Sequence, residues 1–103
     1  MGYKIILTAS FLEDLESIVS YLRQKAEPET ALRVGNELVE AALALKDNPA
    51  VGQRVKGRPG ARKILLYSYS LLYDVDESKR RVEVIRIWHG ARHPRSLRFP
   101  KKS

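Results

Sequence analysis

The chain has no cysteine, one tryptophan, two histidines and few aromatic residues for its 103 positions. Without thiols it can form neither a disulfide nor a thiolate-bound metal site, so stability must come from packing. No apolar run approaches the roughly 20 residues needed to cross a bilayer. The N-terminal MGYKIILT lacks a basic leader with an apolar core and a small-residue cleavage site. A soluble cytoplasmic protein with no membrane partner is expected. Gly-rich phosphate loops and metal-finger spacings are absent too, so the sequence implies neither a cofactor nor a metal.

Acidic residues are scarce in one half only. Residues 1–51 hold five basic and eight acidic side chains, a net −3, which leaves +10 for residues 52–103 out of a total of +7. A half-chain so basic has an electrostatic reason to meet a polyanion or an acidic partner, although basic surface also keeps small proteins soluble. With 44% hydrophobic residues there is enough apolar material for one modest core, hence a single domain over 1–103 with a basic tail from about 96 to 103.

Tyr3–Thr8 reads as a short strand. Thr8 or Ser10 then supplies a helix N-cap; Ser10 and Glu13 match a capping box, and Glu13, Asp14 and Glu16 place negative charge in the first turns. Phe11, Leu12, Leu15, Ile18, Val19 and Leu22 form one helical stripe, ending near Lys25. Pro28 opens a second helix, whose stripe is Ala31, Val34, Gly35, Leu38, Ala41, Ala42 and Leu45; Asp47-Asn48-Pro49 stops it. Its small residues allow a close neighbour, so the two helices should form an antiparallel hairpin. Leu32, Val39 and Leu43 make a second, narrower stripe, which either widens the face packed on a sheet or offers a groove to a partner's helix.

Ala50–Ala61 reads as a Gly- and Pro-punctuated loop carrying Arg54, Lys56 and Arg58, which suits a connection or a grip on phosphates. Arg62–Tyr67, Tyr69–Val75 and the run from Arg81 to Trp88 read as three strands of an antiparallel meander. The expected fold is α+β, in the order β-α-α-β-β-β, with the helical hairpin on one face of a small, mainly antiparallel sheet.

The last strand ends in a cluster of chemistry-bearing groups: Arg86, His89, Arg92, His93 and Arg95. His89 can give or take a proton near neutrality, and guanidinium groups donate paired hydrogen bonds to phosphate. Gly90 and Pro94 argue against the helix that would set His89 and His93 side by side on a metal. By strand period Arg86 shares a face with Val82, Val84 and Trp88, where it needs an anion. That anion is either Asp74, since Glu83 falls on the opposite face, or a phosphate.

The order and spacing of these pieces resemble a known family. Ala9–Ile18 carries A-x-x-x-x-DLE-x-I, Leu45–Gly52 carries L-x-x-NP-x-x-G, and a basic linker leads to Arg62-Lys63-Ile64-Leu65. Tyr69-x-Leu71-Leu72-Tyr73-x-Val75 follows, then V-x-V-I-R-I-x-HG-x-R at Val82–Arg92. Over about residues 3 to 95 this is similar to the RelE/ParE superfamily of toxins from bacterial type II toxin–antitoxin modules. The resemblance implies a growth-arresting toxin neutralised by a cognate antitoxin, in a dimer or a heterotetramer with it. RelE-like members cut mRNA on the ribosome without metal, whereas ParE-like members poison DNA gyrase, so the fold alone does not decide the activity.

The first reading is ribosome-dependent mRNA cleavage. His89 would transfer protons while Arg62, Arg86 and Arg92 stabilise the phosphorane, with Arg54, Lys56, Arg58, His93 and Arg95 binding nucleic acid. Arg62 begins its strand where RelE-like endonucleases carry a catalytic arginine. This reading requires His89, Arg62 and Arg86 to share one anion-seeking hollow. Two features depart from those enzymes: the tail has Phe99 and no tyrosine, and their lysine pair is matched only by Lys56. The alternatives are a non-enzymatic, ParE-like gyrase inhibitor and an inactive toxin that only binds its antitoxin. Leu32, Val39 and Leu43 are the candidate antitoxin contacts.

Overall fold

A computed structural model describes residues 2–89. Its elements run β1 (Lys4–Leu7), α1 (Ala9–Lys25), α2 (Pro28–Ala44), a 3-10 turn (Pro49–Val51), β2 (Gln53–Arg54), β3 (Ala61–Leu66), β4 (Tyr69–Asp76) and β5 (Arg81–His89). The five strands lie in the order β1-β5-β4-β3-β2. β1 pairs parallel with β5, and every other pairing is antiparallel. The expected α+β architecture is therefore present, with β1 as an edge. The loop read over Ala50–Ala61 also contains β2, a two-residue strand pairing Gln53 with Lys63 and Arg54 with Arg62.

Thr8, not Ser10, caps α1. Its Oγ1 accepts from the Phe11 N–H at 3.2 Å and donates to the Val84 carbonyl at 2.8 Å, so the cap is also a tether to β5. Because the helix starts at Ala9, its first turn holds no acidic residue, and Glu13, Asp14 and Glu16 lie beyond it.

Helix α2 packs on α1 through small side chains. A Cβ built on Gly35 would come within 2.9 Å of the Val19 side chain, so only glycine permits this approach without a shift. Phe11, Val34, Leu38, Ala42 and Leu45 from the helical layer meet Leu71, Tyr73, Val82, Val84 and Ile87 of the sheet in the main core. Burying that many large side chains, at about 1.5–3 kcal/mol each before entropy, is what holds a chain without disulfides together. On the other face a smaller cluster joins Ala61, Leu72, Ile85 and Trp88. Of the second stripe on α2, Leu32 and Leu43 are 65% and 44% exposed, so these two do not widen the packed face.

The register of β4 against β5 slips between Leu72 and Tyr73: Leu72 pairs with Arg86 and Tyr73 with Val84, leaving Ile85 without a partner. This bulge resets the alternation of β5. Val82, Val84 and Ile87 pack in the main core, while Ile85 and Trp88 pack on the opposite face. The face expected to hold Val82, Val84, Arg86 and Trp88 together is thus divided at Arg86.

Candidate functional site

Arg86 sits just past the bulge, where the strand turns its side chain towards α1. Its Nε donates to Asp14 Oδ2 at 2.6 Å and its Nη2 to Asp14 Oδ1 at 3.3 Å; the Ile87 N–H donates to the same Oδ2 at 3.0 Å. Both side chains are about four-fifths buried. The anion that Arg86 requires is therefore Asp14. Asp74, the partner expected from strand period, pairs instead with Arg58 at 3.4 Å. Asp74 stands opposite Glu83, and its carboxylate is taken by Arg58.

His89 ends β5 beside this pair. It is exposed, and its ring stands 4.9 Å from that of Tyr69, tilted by 45°. Burial raises the Tyr69 hydroxyl pKa, with the nearby Tyr21 adding to the shift. Asp14, Tyr21, Tyr69, Arg86, Trp88 and His89 contribute to one cleft of about 340 Å³ between α1 and the end of β5.

Arg62 stands elsewhere. It opens β3 opposite Tyr73, and its Nη1 donates to the carbonyls of Gly52 at 2.7 Å and Ala50 at 3.2 Å. The Tyr73 hydroxyl completes the fastening: it donates to the Pro49 carbonyl at 2.8 Å and accepts from the buried Gly52 N–H at 2.9 Å. Burial raises the Tyr73 pKa, opposed by the Gly52 hydrogen bond and by the charge of Arg62. Arg62 and Tyr73 together pin the segment that leads into β2.

With Arg54 and Arg58, Arg62 lines a cleft of about 630 Å³, walled on its far side by Tyr3 and Glu77. The Tyr3 hydroxyl donates to Glu77 at 2.6 Å, a bond that raises its pKa, and the Arg80 guanidinium lies 5.0 Å from the Tyr3 ring centre. Lys56 is exposed on the same loop, between Val55 and Gly57.

His89, Arg62 and Arg86 therefore do not share one hollow. Counting along the register, Arg62 lies level with Tyr73 and Val84, whereas His89 lies level with Tyr69. That is about 13 Å along the strands and about 10 Å across two of them. Arg92, His93 and Arg95 fall outside the described residues. Sequence reasoning missed Asp14 and Tyr73, the two groups that occupy the predicted catalytic cations or their surroundings. The only signals were Asp14 facing the sheet-side stripe of α1 and Tyr73 opposing Arg62 in a tight hairpin. Among the described residues no group of three or more histidine, cysteine or carboxylate side chains could hold a metal.

Comparison with known proteins defines the class to which this geometry belongs. The structure matches a chain of the chromosomal ParDE toxin–antitoxin system of P. aeruginosa at a TM-score of 0.74 and 22% identity, covering 86% of this chain and 97% of that one. It matches a chain of the RelBE2 toxin–antitoxin complex of Mycobacterium tuberculosis at 0.64 and 26%, covering 86% and 99%. The isolated E. coli RelE toxin follows at 0.58 and 21%, covering 92% of each chain. Against the first and third the likeness is one of fold. No curated protein sequence matched. Two helices on a five-stranded, mostly antiparallel sheet are thus the toxin scaffold of such modules. The model of the ParE toxin of the type II toxin–antitoxin system parDE matches residues 5–94, and the chain belongs to that family.

Proposed function

We propose that this toxin arrests growth as a ParE-type inhibitor of DNA gyrase, by binding and without catalysis. The observation that carries this reading is the dispersal of the groups that RNA cleavage would need together. Arg86 is neutralised by Asp14, Arg62 is spent on two backbone carbonyls, and His89 opens onto a different cleft. Metal-free cleavage needs a proton-transferring group and cations converging on one phosphate; a binding protein has no such requirement. The match to the ParE family model points the same way.

The partner in the cell is a cognate antitoxin, in keeping with the structural neighbours solved as toxin–antitoxin complexes. Leu32 and Leu43, exposed on α2 on either side of the half-buried Val39, offer an apolar stripe at helical spacing for its contact.

The test is a primer-extension map of cellular mRNA after brief induction, read beside induction of DNA repair. Intact messages with DNA breaks support gyrase as the target. New 5′ ends within translated messages, lost in His89→Ala, would replace this reading with ribosome-dependent cleavage by His89, Arg62, Arg86 and Arg92.

A further inference from the structure

The cleft between the Pro49–Gly60 segment and the end of the sheet is lined by more than the fastened wall of Arg62. Its composition is unusual for this chain. Three arginines, Arg54, Arg58 and Arg62, line it together with Tyr3, while Val55 and Val75 supply apolar wall. Among the described residues Glu77 is its one acidic lining residue. The charge inside is already largely answered: Arg58 pairs with Asp74, and Arg62 donates to the carbonyls of Ala50 and Gly52. Arg54 is different. It is exposed on β2, held in place by backbone pairing to Arg62, and makes no ion pair with any described residue.

We infer that this cleft is a docking surface for a carboxylate-bearing protein segment, with Arg54 as the anchoring cation and Tyr3 and Val55 as the apolar contacts. The inference rests on the reading that the toxin's target is a protein, and adds which surface engages it and by what chemistry. Arginine and tyrosine around an apolar, concave floor are the residues that dominate protein interfaces, because they combine area with directed hydrogen bonds. A nucleic-acid backbone fits the same cleft less well. Phosphate recognition draws on several uncompensated cations along an extended track, whereas here Arg58 is paired with Asp74, Arg62 is turned onto two backbone carbonyls, and Glu77 adds a negative charge to the lining. An acidic segment instead needs one directed ion pair and some desolvation, which this shape provides.

The test uses the full-length toxin and a fluorescein-labelled octaglutamate peptide, followed by anisotropy at low salt, with an eight-nucleotide single-stranded RNA as the competing probe. Arg54→Gln and Arg54→Glu are compared with Arg23→Glu, an identical charge change at the far end of α1. The expected result is that the peptide binds, that Arg54→Glu weakens it about tenfold and Arg54→Gln severalfold, and that Arg23→Glu changes it less than about twofold. Equal losses from Arg54→Glu and Arg23→Glu would reduce the binding to net charge and overturn the inference. So would an absence of peptide binding, or RNA binding that is stronger than peptide binding and equally sensitive to Arg54. A gyrase supercoiling assay on the same proteins separates the two readings. Arg54-dependent peptide binding with gyrase unaffected leaves the cleft standing and removes gyrase as the target.

Discussion

Asp14 on α1 holds Arg86 on β5 through two hydrogen bonds, one to each carboxylate oxygen, and its Oδ2 also accepts the backbone N–H of Ile87. One side chain thereby satisfies a guanidinium and a strand amide next to a bulge. It also ties α1 to β5. This places Arg86 in the architecture, although its sequence position suggested a phosphate.

Asp14→Ala should cost about 2 kcal/mol, a drop in Tm of roughly 10 °C, because it strands a mostly buried cation and an amide donor. The double change Asp14→Leu with Arg86→Met should recover much of that loss, since it leaves no buried charge unpaired and only the Ile87 N–H without its acceptor. Thermal melts of the wild type and the two variants check this. Equal loss in the single and double variants would mean that the pair does more than satisfy itself.

Arg86→Met should retain growth arrest when expressed without antitoxin, provided the variant is folded at the growth temperature. Colony counts after induction, with soluble protein measured in parallel, give the answer. Loss of toxicity in a folded Arg86→Met protein would return Arg86 to the functional site.

Tyr73→Phe should destabilise the protein by about 1–3 kcal/mol, because the buried Gly52 N–H and the Pro49 carbonyl both lose their partner. The pH dependence has a definite sign. Burial raises the Tyr73 pKa in the folded state, so the folded protein holds its proton more tightly than the unfolded chain. The contribution is complete below the ordinary tyrosine pKa of about 10 and is lost as pH rises through the raised folded value. Urea melts between about pH 8 and 11 should fall more steeply for the wild type than for Tyr73→Phe. Some slope should remain in the variant from Tyr69, whose pKa burial also raises.

Gly35→Ala should lose about 1–2 kcal/mol by overpacking against Val19, and Val19→Ala in the same chain should restore part of it. A double-mutant cycle by urea denaturation measures the coupling. Additive losses would show that the helices are free to move apart at this point.

Leu32→Glu and Leu43→Glu should leave the melting temperature nearly unchanged, since both side chains are already exposed. They should weaken binding of the cognate antitoxin about tenfold or more by putting charge on the apolar stripe. Calorimetric titration of the purified partners decides it; unchanged affinity would place the antitoxin on another surface.

Much of the fold was legible because the two helical stripes and the run of β-branched and aromatic residues are long and regular. Pro28, Pro49 and the Asp76–Arg80 turn punctuate them. The site was less legible, for a local reason. Strand period predicts neighbours only while the register is unbroken, and past the unpaired Ile85 the side chain of Trp88 falls on the face opposite Val82 and Val84. Nothing in the residue types around Ile85 announces a bulge. Arg62 misled in another way. An arginine at a strand start reads as available for phosphate, but its partners are backbone carbonyls, which a sequence cannot rank. The exposure of Leu32 and Leu43 was one of two readings open at helical spacing, because periodicity gives a direction around the helix and not the depth of its burial.

In the proposed mode of action the toxin disables gyrase by binding and needs no histidine to do so. A gyrase supercoiling assay with purified wild-type toxin and His89→Ala tests it most directly. Both proteins should block supercoiling at similar concentrations. Supercoiling that proceeds undisturbed at toxin excess, or a block that disappears with His89→Ala, would contradict it.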